Sequence, residues 1–361
     1  MLKKILKLIL SIFIIILLVV IGYLAYVFIS YQRIEDNLPL DVESKGAPSS
    51  SISTETNYRI ASNNIGFGAY QDTFSFFMDG GTESWAFSKE DVINNTTGLI
   101  ENIKSLNPDF IILQEVDVDS TRSYHVDEAA LMIDSLSKQY DDFSYTFACN
   151  YDSPFLMYPL TQPHGKSKAG LLTISTATIT DSIRRSLPID EGITKVLDLD
   201  RCYSKNRIPV DNGKELVIYN VHLSAYNKNP ETSEYQLKML NEDMLAEAES
   251  GNYVIAGGDM NKDLLGDSSK YFGVNGVSVN WAVAFPTELL DDEFTLVAPF
   301  DESNPVPTCR NADMPYCEED FVLTLDGFIV SSNVEVVESN VLDLQFKYSD
   351  HNPVYMDFIL K

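Results

Sequence analysis

The order of apolar and polar positions divides the chain into one long apolar segment and a series of short alternating elements. Residues 8–29 are almost wholly apolar, which suits the roughly 20 residues that a helix needs to cross a hydrocarbon core. Beyond residue 57, apolar runs of strand length alternate with segments whose apolar side chains recur every three or four positions. The pattern predicts a membrane-spanning helix followed by an α/β domain.

Three segments have the period of amphipathic helices. In residues 89–106 the apolar positions are spaced alternately by four and three, and Ser88 precedes them as an N-cap. A second helix is predicted over 128–138, and a third over 231–250, where Gly251 stops it. The predicted strands include residues 109–114, 170–175, 207–210, 215–223 and 253–256, with Asn212-Gly213 as a hairpin turn.

Charge around the apolar segment predicts its orientation. Lys3, Lys4 and Lys7 precede it, whereas Glu35 and Asp36 follow it, so the positive-inside rule places the N-terminus in the cytoplasm. The apolar run exceeds the 7–15 residues of a cleavable signal. We therefore expect an uncleaved, single-pass signal anchor in the plasma membrane, with an unusually long signal sequence as the alternative.

These observations divide the chain into four parts. Residues 1–7 form a short cytoplasmic tail, and residues 8–29 form the transmembrane signal anchor. Residues 30–57 are rich in Ser, Thr and Pro and predict an extracytoplasmic tether, unless they pack on the domain as an irregular arm. Residues 58–361 form the extracytoplasmic domain, which is large enough for one substantial core.

The charge balance restricts the class of ligand. Lys and Arg number 26 against 53 Asp and Glu, which gives a net charge of −27 and a pI near 4.3. Such a surface repels polyanions at long range, and basic clusters with interleaved aromatic residues are missing from the sequence. A phosphate-bearing substrate would therefore need a local cation, and a bound metal ion is the simplest source.

The four cysteines do not have the spacing of a zinc site. Outside the cytoplasm, one or two disulfides are expected, and Cys309 with Cys317 would close the shortest loop. Sequence does not choose among the connectivities, and four free thiols are an equal alternative.

Polar side chains stand at the ends of several predicted strands. The buried strand 253–256 is followed by two glycines and then by Asp259 and Asn261, although Asp and Asn also occur in ordinary turns. Glu115 follows an apolar strand, and His222 lies in the sequence Asn-Val-His-Leu. Asp326 begins another apolar run, and the pair Asp350 and His351 precedes the last strand.

In this order, the motifs resemble those of the endonuclease/exonuclease/phosphatase superfamily, which includes pancreatic deoxyribonuclease, abasic-site endonucleases, neutral sphingomyelinases and inositol-polyphosphate phosphatases. The resemblance covers residues 58–361. It implies a four-layer sandwich of two packed mixed β-sheets flanked by helices. It also implies a Mg²⁺-dependent hydrolase, with Mn²⁺ as a substitute ion, that uses water to cleave a phosphate ester.

The resemblance also assigns roles to individual residues. The expected metal-site residues are Glu115, Asn64 and Asp350. The expected catalytic residues are His222, Asp259, Asn261, Asp326 and His351. An asparagine precedes Asn64 in the sequence, so a one-residue ambiguity with Asn63 stays open.

Three cations are candidates for contact with the substrate. Arg122 lies in a polar loop after Glu115, together with His125, and Lys168 precedes a strand that borders the site in the family. Arg310 is one of the few cations in the acid- and proline-rich region 262–324. Each has an alternative interpretation as an ordinary surface or loop residue.

The leading hypothesis is a membrane-anchored phosphoester hydrolase of this superfamily that acts outside the cytoplasm. Its substrate would be a lipid headgroup, a nucleotide or a nucleic acid, and the acidic surface together with the membrane anchor favours a phosphodiesterase over a nuclease. A catalytically inactive surface interaction protein with the same fold is the alternative. The N-terminal helix implies contact with the membrane, and no obligate protein partner is inferred.

Overall fold

The computed structural model describes residues 2–190, 192, 199–225, 230–273 and 283–361. The apolar N-terminal segment forms one helix, α1 (Leu2–Ser30), in which only Val27 is buried. Its 29 residues are about 43 Å long at about 1.5 Å per residue. Among the described residues it is the one helix long and apolar enough to cross a membrane.

The other described helices are shorter. Their bounds are α2 (Lys89–Ser105), α3 (Glu128–Leu136), α4 (Pro230–Glu249) and α5 (Ser269–Phe272). The three helices predicted from periodicity are therefore confirmed. The hydroxyl of Ser88 accepts a hydrogen bond from the Asp91 amide at 3.0 Å, so it caps α2 as expected.

One mixed sheet contains seven strands in the order β1-β7-β8-β9-β10-β14-β11. Their bounds are β1 (Leu38–Pro39), β7 (Asp181–Ser186), β8 (Cys202–Pro209), β9 (Glu215–His222), β10 (Tyr253–Asp259), β11 (Phe294–Val297) and β14 (Asp326–Ser331). We call it the first sheet. β9 and β10 are parallel, and β14 runs antiparallel to β10.

A second seven-stranded sheet has the order β15-β16-β3-β4-β6-β5-β2. Its strands are β2 (Val42–Lys45), β3 (Asn57–Asn64), β4 (Phe110–Asp117), β5 (Phe143–Asp152), β6 (Lys168–Ser175), β15 (Val334–Val341) and β16 (Val354–Leu360). We call it the second sheet. Two further short strands, β12 (Cys309–Arg310) and β13 (Val322–Leu323), pair with each other.

The sheets and helices form layers because each sheet is apolar on both faces. Between the sheets lies a core that includes Ile60, Phe110, Ile218, Ile255 and Phe328. The outer face of the second sheet packs against α2 and α3, and the outer face of the first sheet packs against α4. Burying such a side chain contributes about 1.5–3 kcal/mol. The predicted four-layer sandwich of two mixed sheets flanked by helices is confirmed.

For residues 30–57, where the sequence predicted a tether with an arm packed on the domain as the alternative, the structure shows contacts with both sheets. β1 pairs with β7 at the edge of the first sheet, and β2 pairs with β5 at the edge of the second sheet. These strands are exposed, so they need backbone pairing but no apolar alternation. β1 is only two residues long and β2 does not alternate apolar and polar residues, so neither has the sequence pattern of a strand.

All four cysteines are free in the structure. The expected bridge between Cys309 and Cys317 is therefore not formed. Cys309 is buried, whereas Cys317 is exposed.

Removal of the buried Arg184 guanidinium should loosen the junction between α1 and the domain. Arg184 is fully buried and donates to the carbonyl oxygens of Cys149 at 2.7 Å, Glu35 at 2.9 Å and Asp200 at 2.7 Å. We expect Arg184→Met to lower the free energy of unfolding by about 3 kcal/mol, because three buried acceptors lose their donor. Denaturant unfolding of the detergent-solubilised chain measures this loss.

The exposed Lys45→Met is the matched control and should unfold like the wild type. Equal stability of Arg184→Met and Lys45→Met would contradict the role of this guanidinium.

Candidate functional site

A cavity of about 410 Å³ opens where the strand ends of the two sheets meet. Nine of the predicted site residues line it: Asn64, Glu115, Arg122, His222, Asp259, Asn261, Arg310, Asp350 and His351. Asp326 lies behind His351, and Lys168 is outside the cavity lining and exposed. The structure therefore brings together side chains that are almost 290 positions apart in sequence.

Two glycines allow β10 to pack closely enough to place Asp259 at the cavity. A Cβ on Gly257 would lie 2.6 Å from the Phe328 ring, and a Cβ on Gly258 would lie 2.1 Å from the Val221 carbonyl oxygen. Gly258 also has φ +136°, which side-chain-bearing residues rarely adopt. Close backbone packing therefore requires glycine at both positions.

The pairing of β10 with its neighbours sets which side chains meet Asp259. Asp259 lies opposite His222 of β9 and opposite Asp326 of β14. Its Oδ1 accepts a hydrogen bond from the Asn261 amide at 2.8 Å. The Asn261 side chain donates to the Leu223 carbonyl oxygen at 2.8 Å, which holds its amide at the cavity.

Glu115 reaches the cavity because β4 is irregular there. The register with β6 shifts between Leu113 and Val116, and Glu115 has φ +55°. The strand was predicted to end at Glu115, but it continues through this bulge to Asp117. Bulges and left-handed non-glycine residues are enriched at functional sites, because they redirect a side chain at an energetic cost.

Asn64 connects the carboxylates of the two sheets. Its Nδ2 donates to Glu115 Oε1 at 3.2 Å and to Asp259 Oδ2 at 3.0 Å. Its Oδ1 accepts from the Gly66 amide at 3.0 Å. Asn63 instead donates to the His351 carbonyl oxygen at 3.3 Å. Of the two asparagines, Asn64 is the one whose side chain faces the cavity.

His351 is oriented by a buried acid. Its Nδ1 lies 2.9 Å from Asp326 Oδ2, and Asp326 is fully buried. Burial lowers the pKa of His351, but the Asp326 carboxylate and its acidic neighbours raise that pKa well above its ordinary value. The ring is therefore protonated at neutral pH, and its Nε2 lies 3.9 Å from Asp259 Oδ2.

His222 has the opposite electrostatic character. Its Nε2 lies 3.5 Å from Asp259 Oδ2 and 3.9 Å from Glu115 Oε1. Burial, with smaller contributions from Arg201 and His351, lowers the pKa of His222 well below its ordinary value. The two histidines therefore face Asp259 in different charge states, one neutral and one cationic.

Burial makes two carboxylates of the cavity harder to ionise than exposed ones. Burial raises the pKa of Asp259 to about 6, and burial together with the nearby Glu115 raises that of Asp350 to about 7. A hard dication prefers such oxygen ligands. Glu115 and Asp350, with Asn64 beside them, fit a divalent metal ion.

A second group could also hold an ion by geometry. Candidate ligand atoms of Asp259, Asp326 and His351 lie within 4.8 Å of one another. The direct pairing of His351 with Asp326 accounts for the closeness of these groups without a metal. Within the described residues, neither Glu115 nor Asp350 forms an ion pair with a lysine or arginine, so their carboxylates are the better candidates for a metal ion.

Two of the predicted substrate-binding cations are already engaged with the protein. Arg122 is buried and makes two hydrogen bonds to Asp117, at 2.8 and 3.1 Å, while its guanidinium stacks on Phe67. Arg310 is also buried and donates to backbone carbonyls, which belong to Tyr70, Gln71, Phe74, Asn311 and Met314. Both shape the cavity wall.

Sequence reasoning missed Arg201 and Lys262. Arg201 is 7% exposed and lines the cavity, and its Nε has no hydrogen-bond partner among the described residues. Lys262 follows Asn261, and burial lowers its pKa to about 8. No motif surrounds Arg201, so the sequence did not indicate its role. Lys262 could have been predicted, because it directly follows the candidate residue Asn261.

Comparison with known proteins gives a family match. The model of the family described as Endonuclease/Exonuclease/phosphatase matches residues 64–351. Among curated proteins, no sequence matches this chain.

Solved structures share the fold at low sequence identity. A Beutenbergia cavernae endonuclease/exonuclease/phosphatase is 16% identical over 84% of this chain and 72% of its own, with a TM-score of 0.55. Truncated Caenorhabditis elegans TDP2 is 14% identical over 85% and 99%, with a TM-score of 0.51. ANGEL2, a 2′,3′-cyclic phosphatase bound to adenosine-2′,3′-vanadate, is 15% identical over 89% and 98%, with a TM-score of 0.55. At these identities the likeness concerns the fold alone.

The buried His164 in the cavity wall should make stability depend on pH. Burial lowers its pKa to about 3 in the folded protein, against about 6.5 when unfolded. The unfolded chain therefore binds the proton first, and stability falls as pH decreases from about 6.5 towards about 3. Between about pH 7 and about pH 5, His164 should account for a loss of about 2 kcal/mol.

Urea unfolding of wild type and His164→Asn at both pH values measures this contribution. The variant should lose less stability on acidification than the wild type. Parallel losses in the two proteins would show that His164 is not the responsible group.

Proposed function

The chain belongs to the endonuclease/exonuclease/phosphatase family, whose members are phosphoester hydrolases, and from this premise we propose that it is a Mg²⁺-dependent phosphoester hydrolase. The observation that supports this most is the meeting of Asn64, Glu115, His222, Asp259 and His351 around one cavity. These groups can together position water, a phosphoryl group and a cation. The fold likeness to ANGEL2, a 2′,3′-cyclic phosphatase, agrees with this proposal.

Glu115 and Asp350 would hold the metal ion, and Asn64 would orient the Glu115 carboxylate through its amide. When bound, Mg²⁺ supplies positive charge to a phosphoryl oxygen and to the leaving oxygen. The bulge at Glu115 supports this assignment, because it points the carboxylate out of the sheet and leaves it partly exposed. Mn²⁺ has compatible ligand preferences and would substitute.

Asp259 would accept a proton from the attacking water. Its pKa of about 6 leaves it ionised at neutral pH yet more basic than an ordinary aspartate. The hydrogen bonds from Asn64 and from the Asn261 amide fix its orientation. His351 is less suited to be the base, because Asp326 keeps it protonated.

The remaining polar groups would stabilise the charge that develops on the phosphoryl oxygens. Protonated His351 offers Nε2–H, and Asp326 fixes the ring through Nδ1. Asn261 uses one amide hydrogen on Leu223 and has a second to donate. His222 offers a neutral ring between Glu115 and Asp259. Preorganised donors of this kind are the main source of rate in such sites.

We place the reaction on the outer face of the plasma membrane. The lysines before the span and the acids after it support a cytoplasmic N-terminus. Because the catalytic domain follows α1, the one candidate span among the described residues, it would then lie outside the cytoplasm.

Loss of any one central group should nearly abolish turnover. We expect Asp259→Ala, His222→Ala and His351→Ala each to lower kcat by about 10²–10³, because each removes charge stabilisation or the base. Hydrolysis of bis-p-nitrophenyl phosphate by the full chain in detergent measures this.

His125→Ala is the matched control. This exposed histidine pairs with Asp119 and lies outside the cavity lining, so its loss should leave the rate unchanged. Wild-type activity in His351→Ala would contradict the assignment.

Metal removal should abolish activity reversibly. We expect EDTA to stop hydrolysis and Mg²⁺ or Mn²⁺ to restore it, because the metal ion would supply the positive charge for the phosphoryl and leaving oxygens. Titration calorimetry gives a second measurement, in which Glu115→Gln should bind Mg²⁺ at least about tenfold more weakly than wild type. Activity that persists in EDTA, or Mg²⁺ affinity unchanged by Glu115→Gln, would overturn the metal assignment.

A further inference from the structure

The outer end of α1 contacts one loop of the catalytic domain. The Tyr26 hydroxyl accepts a hydrogen bond from the Phe155 amide at 3.1 Å. The Tyr23 hydroxyl accepts one from the Met157 amide at 2.9 Å and donates to the Phe155 carbonyl oxygen at 3.3 Å. The loop therefore lies alongside the helix.

These contacts give the depth of the loop relative to the membrane. Tyr23 lies about 10 Å before the end of α1 at Ser30, given a rise of about 1.5 Å per residue. Tyrosines in the last turns of a span are typical of the membrane–water interface. The loop that they contact must therefore reach back to the headgroup level.

The loop has the composition of a membrane-contacting element. Residues 153–163 contain no charged side chain in a chain of 53 acids. Exposed apolar side chains point outward from it: Phe155 at 41%, Met157 at 45%, Tyr158 at 70% and Leu160 at 80%. We call these four residues the apolar rim. Large apolar side chains at such exposure indicate an interaction surface.

Polar contacts connect the residues that follow α1 to the domain and restrict the movement of the helix relative to it. Immediately after α1, Arg33 pairs with Asp200 at 3.1 Å. Arg184 then donates to the Glu35 carbonyl oxygen at 2.9 Å, and Asp36 accepts from the Ser186 amide at 2.8 Å. These contacts hold the domain beside the end of α1, with the apolar rim alongside the helix.

The apolar rim continues into the catalytic cavity. The Tyr158 ring contacts Phe77 with 5.9 Å between centroids. The next residue, Met78, is 63% exposed and lines the cavity. At the other end of the loop, His164 lines the cavity wall. The cavity mouth therefore opens beside the apolar rim.

We propose that the apolar rim inserts into the bilayer surface and that the substrate is the phosphoester of a membrane lipid. This proposal rests on the proposed hydrolase function and specifies its substrate class. Water adds to the lipid phosphorus, one P–O ester bond breaks, and the leaving alcohol departs with a proton that derives from the water. A bilayer fits the rim better than a protein partner, because the rim is continuous with the membrane-spanning helix.

The experiment uses the full chain reconstituted into vesicles that contain phosphatidylcholine, phosphatidylglycerol and sphingomyelin. The test variant is Met157→Glu/Leu160→Glu, and the matched control is Val337→Glu, which changes an exposed apolar residue on β15. Lipid products are measured by mass spectrometry, and bis-p-nitrophenyl phosphate is the soluble substrate. We expect the test variant to lose at least about tenfold in lipid hydrolysis, because charged residues resist insertion, and to keep the soluble activity.

The outcomes separate the two proposals. Soluble hydrolysis without any lipid product in the wild type would overturn the lipid substrate and leave the hydrolase intact. Lipid hydrolysis that survives the double substitution would overturn the role of the apolar rim in membrane contact. Absence of hydrolysis of both substrates would overturn both proposals.

A measurement without catalysis tests insertion itself. Leu160→Trp should show fluorescence that is quenched by brominated lipids relative to the wild-type background, whereas Val337→Trp should not. Equal quenching of the two variants would contradict insertion of the rim.

Discussion

The site depends on hydrogen bonds that join the two sheets at their strand ends. Asn64 of the second sheet donates to Asp259 of the first sheet at 3.0 Å, and Gln114 donates to Asn220 at 2.8 Å. Buried polar groups need their partners, because an unpaired one costs about 1–3 kcal/mol. A slip of one residue in either sheet would turn these side chains to the opposite face. The register of the two sheets therefore determines the geometry of the site.

The buried position of the acids at the strand ends explains why their pKa values are raised. Asp259 and Asp350 are harder to ionise than exposed aspartates because burial penalises their charge. Arg122 and Arg310 lie nearby, but their donors are directed to Asp117 and to loop carbonyls. A chain with net charge −27 thus presents a cavity in which a bound cation would relieve repulsion and attract phosphate.

Sequence could predict what periodicity and local motifs encode. Three helices of the domain, α2, α3 and α4, follow from apolar spacing, whereas the tight packing at the two glycines before Asp259 is visible only in the fold. The resemblance supplied the sandwich and the residues that meet in it. Long-range register, as between Asp259 and Asp326, could not be predicted from local residues and is seen only in the structure.

Other features have no local signal. The edge strands within residues 30–57 use backbone pairing alone, so they carry no alternation. The bulge at Glu115 depends on β6, which lies more than fifty positions away. Arg310 resembled a free surface cation in sequence, but the fold surrounds its guanidinium with carbonyl oxygens. Such assignments depend on partners that only the folded chain brings near.

The central claim is that the meeting of the two sheets creates one metal and phosphate site. A crystal structure of the chain with Mn²⁺ and vanadate, in which anomalous scattering locates the ion, tests this most directly. The account predicts a Mn²⁺ peak bound by Glu115 and vanadate in contact with Asn261 and His351. Ordered Mn²⁺ and vanadate bound elsewhere on the protein, with this cavity holding neither, would contradict it.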